Sequence, residues 1–210
     1  MSEMPVSFGI LGNGSQANEV QSYGFGSEVI FRAVDRVYLS EDAQVDLTDP
    51  SESERNTPVV AAIGAPGARK ELVDKWPGHE YIDVVSPHAI VDSSVKFGGG
   101  CIVSPGAILT TDIVIGKHTI INIASTVSHN CEIGKYVTIS PGVHIAGDVV
   151  LGDGVFVGIG AILSNDINIA SGAVIGAGAV VLDSIEEENS VYVGTPARKT
   201  GQNEGWLREI

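Results

Sequence analysis

Five histidines are the side chains of this sequence best suited to moving a proton at neutral pH: His79, His88, His118, His129 and His144. Imidazole suits that task because its charge changes between about pH 5 and 8. A general base, together with a donor that stabilises a developing oxyanion, can transfer an acyl group from a thioester to an amine or a hydroxyl. His88 lies at the start of one repetitive stretch and the last three histidines lie in its central part, so the period of that stretch determines which residues lie near each of them.

An apolar residue recurs at every sixth position over half of the chain. The unbroken series has seventeen members: Val85, Val91, Phe97, Val103, Leu109, Ile115, Ile121, Val127, Ile133, Ile139, Ile145, Leu151, Val157, Leu163, Ile169, Ile175 and Val181. The position four residues after each member is also apolar or small. The period predicts short strands with tight turns that return each aliphatic side chain to one interior. Glycines that follow several members are expected to supply the backbone conformations of the corners: Gly116, Gly134, Gly152, Gly158 and Gly176.

This pattern resembles that of the hexapeptide-repeat acyltransferases, whose fold is a left-handed parallel β-helix. The resemblance implies three hexads per triangular coil, so that residues eighteen apart stack and seventeen hexads make between five and six coils. It assigns residues 85–186 to a β-helix domain and 187–210 to a C-terminal tail. It also implies a homotrimer with active sites between neighbouring prisms.

The first 84 residues do not follow the six-residue period. Strands are expected at 6–11, 28–34 and 59–64, helices from near residue 16 and over 68–75, and a loop over 40–58. Strands that alternate with helices indicate a small parallel α/β domain over residues 1–84.

A glycine-rich turn follows the first expected strand. Gly12-x-Gly14, with Asp35 about twenty residues on, resembles a dinucleotide-binding fingerprint of the Rossmann-like type. Backbone N–H groups at a helix start can bind phosphate without a cationic side chain. The alternative is an ordinary strand-to-helix turn.

A small α/β domain followed directly by a hexapeptide prism is similar to sugar acetyltransferases of the sialic acid O-acetyltransferase and bacillosamine N-acetyltransferase type. The similarity covers almost the whole chain and is carried by the stretches GNGSQANEV (12–20), AIG (62–64), SHNCEIG (128–134) and VGTPA (193–197). In these relatives the N-terminal domain holds the nucleotide of a nucleotide-activated sugar. The resemblance therefore implies substrate-binding roles for Gly12, Gly14, Ser15, Gln16, Asp35 and Gly64.

The resemblance identifies His129 as the general base. Asn130 stands where many relatives carry a carboxylate that orients the base. In the eighteen-residue stack, Asp112 and Asp148 lie one strand spacing, about 4.8 Å, on either side of Asn130. We therefore predict His129, Asn130 and Asp148 as catalytic residues, with Asp112 an alternative to Asp148. Solvated corner aspartates are the competing interpretation.

Acetyl-CoA contacts are implied at Thr138, Gly147, Ile159 and Ala177. Gly147 matches the family position whose backbone N–H faces the thioester carbonyl, although a plain corner glycine would look the same. Thr138 stands where some relatives use a second histidine. Both cysteines, Cys101 and Cys131, occupy inward repeat positions, which favours direct transfer over an acetyl-enzyme.

These features predict acetyl-CoA-dependent N-acetylation of a UDP- or dTDP-4-amino-sugar. Two alternatives are O-acetylation of sialic acid or another sugar, and a non-catalytic β-helix for binding or oligomerisation. A γ-type carbonic anhydrase shares the prism but has two zinc-binding histidines five residues apart, and no such pair occurs here. No metal is expected.

The formal net charge of −14 disfavours nucleic acid as a partner, because an acidic chain repels phosphate backbones. No apolar run reaches the ~18–20 residues needed to cross a bilayer. The first residues lack the basic and apolar regions of a signal peptide. We expect a cytoplasmic protein without a membrane partner.

Overall fold

The computed structural model describes residues 7–23 and 28–210; Val6, included in the first predicted strand, lies outside them. The N-terminal unit comprises β1 (Ser7–Leu11), α1 (Ser15–Ser22), β2 (Glu28–Val34), a 3-10 turn (Arg36–Tyr38), β3 (Val45–Asp46), α2 (Glu52–Arg55), β4 (Val59–Ala61) and α3 (Pro66–Lys75). Its four strands form a parallel sheet in the order β3-β2-β1-β4. The carboxyl ends of these strands therefore share one edge, where the glycine-rich turn lies.

The prediction of a loop over residues 40–58 was wrong in two places. β3 pairs with the end of β2, and both Val45 and Leu47 are buried. The short helix α2 begins with a capping box, in which the Ser51 N–H donates to Glu54 Oε2 at 2.7 Å and Ser51 Oγ accepts from the Glu54 N–H at 3.3 Å. Both β3 and α2 were missed because the acidic and polar composition of residues 40–58 is typical of a loop.

Seventeen two-residue strands follow, and the second residue of each is a member of the apolar series. They are β5 (Val84–Val85), β6 (Ile90–Val91), β7 (Lys96–Phe97), β8 (Ile102–Val103), β9 (Ile108–Leu109), β10 (Val114–Ile115), β11 (Ile120–Ile121), β12 (Thr126–Val127), β13 (Glu132–Ile133), β14 (Thr138–Ile139), β15 (His144–Ile145), β16 (Val150–Leu151), β17 (Phe156–Val157), β18 (Ile162–Leu163), β19 (Asn168–Ile169), β20 (Val174–Ile175) and β21 (Val180–Val181). The antiparallel hairpin of β22 (Ser190–Val193) and β23 (Arg198–Gln202) comes last.

The short strands stack into three parallel sheets that form the faces of a prism. Face 1 contains β5, β8, β11, β14, β17 and β20 and is extended by the β22–β23 hairpin. Face 2 contains β6, β9, β12, β15, β18 and β21, and face 3 contains β7, β10, β13, β16 and β19. Partners lie eighteen residues apart, as in the pair Glu132–Val150. Three stacked parallel sheets fit the predicted left-handed β-helix.

The reason given for the corner glycines was wrong. The left-handed backbone lies three residues after each member of the series from Phe97 to Ile175, for example at Gly100, with φ +73°, and Asn130, with φ +60°. Gly116 is needed for a different reason: a Cβ built there would lie 2.5 Å from the carbonyl carbon of Gly134 in the next coil. The predicted glycines therefore allow coils to stack closely.

The N-terminal unit packs on face 1. Phe8, Ile10 and Val60 form one buried cluster with Ile102 and Ile120, the outward residues of two face 1 strands. The division into domains at residues 84 and 186 remains a prediction, because the packing is continuous across the first boundary and the last hairpin extends face 1.

Residues 203–210, the C-terminal strap, run from the prism back to the N-terminal unit. A Cβ at Gly154 would lie 2.1 Å from the Trp206 ring, so the ring rests directly on the prism backbone. The Leu207 carbonyl then accepts a hydrogen bond from the Gly67 N–H at 2.8 Å, in the first turn of α3. The strap thus joins the end of the prism to α3.

Within residues 7–23 and 28–210, no helix combines the length and the apolar character required to cross a lipid bilayer.

Candidate active site

His129 lies on the edge of the prism between face 2 and face 3, directly after β12. Its side chain is 56% exposed, so the ring is open to a substrate. A Cβ built on Gly147, one coil further on, would lie 2.4 Å from His129 Cε1. The imidazole therefore rests on the Gly147 backbone, and any larger residue there would displace the ring.

Asp148 is the carboxylate that faces this imidazole. Asp148 Oδ2 lies 3.7 Å from His129 Nδ1, while Asn130 Nδ2 donates to Asp148 Oδ1 at 2.9 Å. Asn130 therefore holds one carboxylate oxygen and turns the other toward the ring. Asp112, the alternative, makes no hydrogen bond or ion pair with either residue within the described part of the chain.

This arrangement leaves two polar groups free for chemistry. With Nδ1 directed at Asp148, the other ring nitrogen of His129, Nε2, is available to accept a proton. The backbone N–H of Gly147 has no acceptor among the described residues, and it lies beside the ring. A base and a free N–H donor together are what an acyl transfer to an amine or hydroxyl requires.

The other central histidines have different surroundings. His118 is buried between the rings of Tyr81 and Tyr136, with centroid distances of 4.6 Å and 5.0 Å. Burial, aided by Arg69 and Lys117, lowers the pKa of His118 to about 4. His144 is exposed on face 2, where its Nδ1 lies 3.0 Å from Thr126 Oγ1. Of these three histidines, His129 alone is paired with a carboxylate within the described ranges.

Both thiols point into the prism. Cys131 lies two residues from His129, but its Sγ donates to the Ala146 carbonyl at 3.2 Å. Burial raises the pKa of Cys131, and that of Cys101 to about 12. Neither sulfur is placed to attack a substrate at the prism surface.

The residues predicted to contact acetyl-CoA are divided between different parts of the prism. Gly147 lies under His129, whereas Ile159 and Ala177 are exposed and stacked on the edge between face 1 and face 2. Thr138 is buried on face 1, where its hydroxyl donates to the Gly64 carbonyl. One chain does not bring these residues together, and their contacts with acetyl-CoA remain predictions.

A cavity of about 540 Å³ lies at the carboxyl edge of the N-terminal sheet. Gly12, Gly14 and Asp35 line it, as do Tyr38 and Lys75, which the sequence patterns did not indicate. Lys75 Nζ donates to both Asp35 oxygens at 3.0 Å and 3.2 Å, and these hydrogen bonds raise the pKa of Lys75.

The N-terminal end of helix α1 faces this cavity. Gly14 is its N-cap, no side chain caps it, and its first turn carries no acidic residue. The first turn of α3, at the same sheet edge, is instead occupied by the Leu207 carbonyl. The start of α1, at Ser15 and Gln16, is therefore the helix start that stays uncapped at this edge, and such a start can bind an anion. The ligand contacts predicted for these two residues and for Gly12, Gly14, Asp35 and Gly64 remain predictions.

The cavity and His129 are on different sides of one chain. The N-terminal unit covers face 1, whereas His129 projects from the edge between the other two faces. One chain therefore does not form a site that contains both.

No group of three or more His, Cys, Asp or Glu side chains that could hold a metal ion occurs within residues 7–23 and 28–210.

Comparison with solved structures gives strong matches, although no protein-family model and no curated protein sequence matches the chain. PerB from Caulobacter crescentus, crystallised with CoA and GDP-perosamine, is 28% identical with a TM-score of 0.86, over 93% of this chain and 97% of PerB. The acetyltransferase domain of PglB from Neisseria gonorrhoeae is 26% identical with a TM-score of 0.83, over 93% and 100% of the two chains. WeeI from Acinetobacter baumannii is 27% identical with a TM-score of 0.78, over 92% and 100%.

Further matches are mutants, each substituted at one histidine, of the Caulobacter perosamine N-acetyltransferase. The structural neighbours thus include a perosamine N-acetyltransferase, which acts on a sugar amine, and the acetyltransferase domain of PglB. This confirms the resemblance predicted from the sequence.

Proposed function

We propose that this protein is an acetyl-CoA-dependent N-acetyltransferase that acts on the amino group of a nucleotide-activated sugar. The observation that carries the proposal is the cluster of His129, Asp148 and Asn130 over the free N–H of Gly147. The neighbours favour an amine over a hydroxyl as acceptor, since the crystals with bound nucleotide sugar are of perosamine N-acetyltransferase.

The reaction is direct transfer. The amine nitrogen attacks the acetyl carbonyl while His129 Nε2 takes its proton, and Asp148 stabilises the imidazolium that forms. The Gly147 N–H stabilises the negative charge that develops on the carbonyl oxygen. The bond between carbonyl carbon and sulfur then breaks, and His129 returns a proton to the departing thiolate.

The N-terminal unit is proposed as a Rossmann-like nucleotide-binding domain. Its strand order, β3-β2-β1-β4, matches the first four positions of the 3-2-1-4-5-6 order of a dinucleotide-binding fold, in which phosphate binds at the first helix. We expect the sugar diphosphate at the start of α1. Two buried free thiols, Cys101 and Cys131, fit a reducing cytoplasm.

A homotrimer is proposed because the cavity and the base lie on different sides of one chain. The row of outward residues on face 2 includes exposed apolar side chains, such as Ile90, Ile108 and Ile162. Packing this face against other copies would cover these side chains and place His129 of one copy near the cavity of the next.

A thiol-release assay with acetyl-CoA tests the reaction. The acceptor panel comprises UDP-, dTDP- and GDP-4-amino-sugars, with free sialic acid as the hydroxyl acceptor. We expect turnover with at least one nucleotide amino sugar and none with sialic acid. Turnover with sialic acid alone would replace the proposal with O-acetylation, whereas failure to bind acetyl-CoA would favour a non-catalytic module.

A substitution at the N-cap of α1 tests the proposed phosphate site. Combined with a second variant, it also tests whether His129 of one copy works with the cavity of the next. Gly14→Asp is tolerated sterically, since a Cβ there meets nothing within 4 Å, and aspartate is a good N-cap. We expect folding to be retained and the KM for the nucleotide sugar to rise by about 100-fold, because the carboxylate repels the diphosphate. Gly14→Asn caps the helix without the charge and is the matched control.

Gly14→Asp and His129→Ala chains can be unfolded and refolded together and assayed at a nucleotide-sugar concentration near the wild-type KM, where each variant alone has almost no activity. The mixture should then show about a quarter of the wild-type activity in a random trimer. Sites contained in single chains would give no recovery.

A further inference from the structure

Arg32 lies in β2 and directs its guanidinium at the glycine-rich turn and at α1. It donates to Asn13 Oδ1 at 2.6 Å and to Asn18 Oδ1 at 2.8 Å, and a further hydrogen bond joins its Nη2 to Gln21 Oε1. Asn13 is the residue between the two glycines of the turn, whereas the other two acceptors lie on α1. One cation therefore holds three amide side chains around the start of α1.

The choice of partners indicates what this guanidinium does. Glu41, Asp42 and Glu54 line the same surface opening as Arg32, yet among the described residues no carboxylate forms an ion pair with it. Hydrogen bonds from an ionised donor are shorter and stronger than neutral ones, so they orient the amides that accept them. These contacts therefore fix the directions of side chains and do not neutralise the charge.

Asn13 carries this constraint into the cavity of the N-terminal unit. Its side chain lines that cavity, and its Nδ2 donates a long hydrogen bond, at 3.5 Å, to the Oγ of Ser40, another lining residue. Arg32 itself does not line the cavity. Arg32, Asn13 and Ser40 therefore form a polar chain that joins β2, the glycine-rich turn and the segment after the 3-10 turn.

We propose that Arg32 is a positioning residue for the nucleotide diphosphate. It holds Asn13, and with it the glycine-rich turn, in the form whose backbone N–H groups bind phosphate. This inference rests on the proposed function, for which it names a residue that supports the phosphate site without touching the ligand.

The turn needs such support because glycine stands on both sides of Asn13, and glycine has more conformational freedom than any other residue. The Gly12 N–H is fixed by the Ala33 carbonyl at 2.8 Å, whereas the Gly14 N–H has no acceptor among the described residues. Without the contact between Arg32 and Asn13, the second half of the turn would become ordered only when the ligand binds. Ordering a segment on binding lowers affinity.

Replacing Arg32 with methionine keeps most of the length of the side chain and removes every donor. Calorimetric titration with UDP and with GDP should give Kd values about tenfold above those of the wild type, the usual effect of losing a hydrogen bond from a charged group. The midpoint of urea unfolding should stay unchanged, because the contacts with Asn18 and Gln21 are exposed and water can replace them. In the thiol-release assay, the KM for the nucleotide sugar should rise by about the same factor, with kcat and the KM for acetyl-CoA unchanged.

A second substitution tests whether Arg32 acts through Asn13. Asn13→Ala should raise the Kd values on its own, and adding Arg32→Met to it should raise them by no more than about twofold further, because the shared contact is already lost. Lys70→Met is the control for the loss of one positive charge from the N-terminal unit. Lys70 pairs with Asp74 on α3 and lines neither the cavity nor the opening beside Arg32, so its loss should change the Kd values by less than about twofold.

Unchanged Kd values in Arg32→Met would overturn this inference and leave the proposed function intact. Effects of Arg32→Met and Asn13→Ala that add in the double variant would also overturn it, since Arg32 would then act on the ligand by its charge alone. A lower unfolding midpoint in Arg32→Met would overturn it as well, because the weaker binding would then follow from a loss of structure. If the wild-type protein bound acetyl-CoA but neither nucleotide, both this inference and the nucleotide-sugar assignment would be lost.

Discussion

Replacing His129 with alanine is expected to lower kcat by about 10²- to 10⁴-fold, the usual range for loss of a general base. The KM values should change little, because the ring is exposed on the prism edge and supports no other side chain. The measurement is thiol release at saturating acetyl-CoA and acceptor. His88→Ala is the control, since His88 is also an exposed prism histidine but has no carboxylate partner in the described structure.

The substitution Asp148→Asn distinguishes between two possibilities: that His129 acts as a base alone, and that Asp148 positions it. The amide keeps the shape of the side chain but removes the charge that stabilises the imidazolium. We expect kcat to fall by about tenfold while the KM values change little. A purely structural Asp148 would instead lower the stability of the protein together with its activity, which urea unfolding of the variant measures. An unchanged kcat, with Asp112→Asn lowering it instead, would transfer the role to Asp112.

The second large effect concerns the contact between the N-terminal unit and the prism. Arg69 is completely buried on α3 and donates to prism carbonyls, through Nε to His118 at 2.7 Å and through Nη2 to Tyr136 at 2.7 Å. It also donates to the carbonyls of Ile63, Gly64 and Val137 and to the Thr138 hydroxyl. Burial lowers its pKa to about 9, so the guanidinium is still charged at neutral pH.

Arg69→Met should therefore lower the free energy of unfolding by about 3 kcal/mol or more, because several buried acceptors lose their donor at once. Urea unfolding followed by circular dichroism measures the loss, and limited proteolysis shows whether the N-terminal unit detaches first. Arg36→Met, on the exposed 3-10 turn, should change stability by no more than about 0.5 kcal/mol. A loss below about 1 kcal/mol for Arg69→Met would mean that water satisfies these carbonyls.

The prism was predictable because its signal is local and repeated. Every member from Val85 to Val181 occupies the second position of a short strand, and the eighteen-residue stack correctly placed Asp148 beside Asn130. The same stack offered Asp112 equally, and only side-chain geometry distinguishes the two. The prediction that glycines such as Gly116 supply an unusual backbone conformation was wrong. A position in the repeat does not reveal whether glycine is required by a positive φ or by the close approach of the next coil.

Arg69 and Lys75 were missed for a common reason. Each acts on residues far along the chain, and on a short helix both look like ordinary surface cations. The Thr138 hydroxyl likewise bonds to Gly64, a contact between the two units that no period in the sequence encodes. One weak signal for Arg69 was available in the sequence. Arg69 lies three residues before the apolar Leu72, so both fall on the same side of α3, the side that faces the interior.

The C-terminal strap also affects the order in which the protein can fold during its synthesis. The first turn of α3 is closed by a carbonyl that lies 140 positions further along, since Gly67 bonds to Leu207. At about 5–20 residues per second, a ribosome needs roughly 7–28 s to add those residues. During that interval the Gly67 N–H can bond only to water, so the first turn of α3 reaches its final form after the rest of the chain has been made.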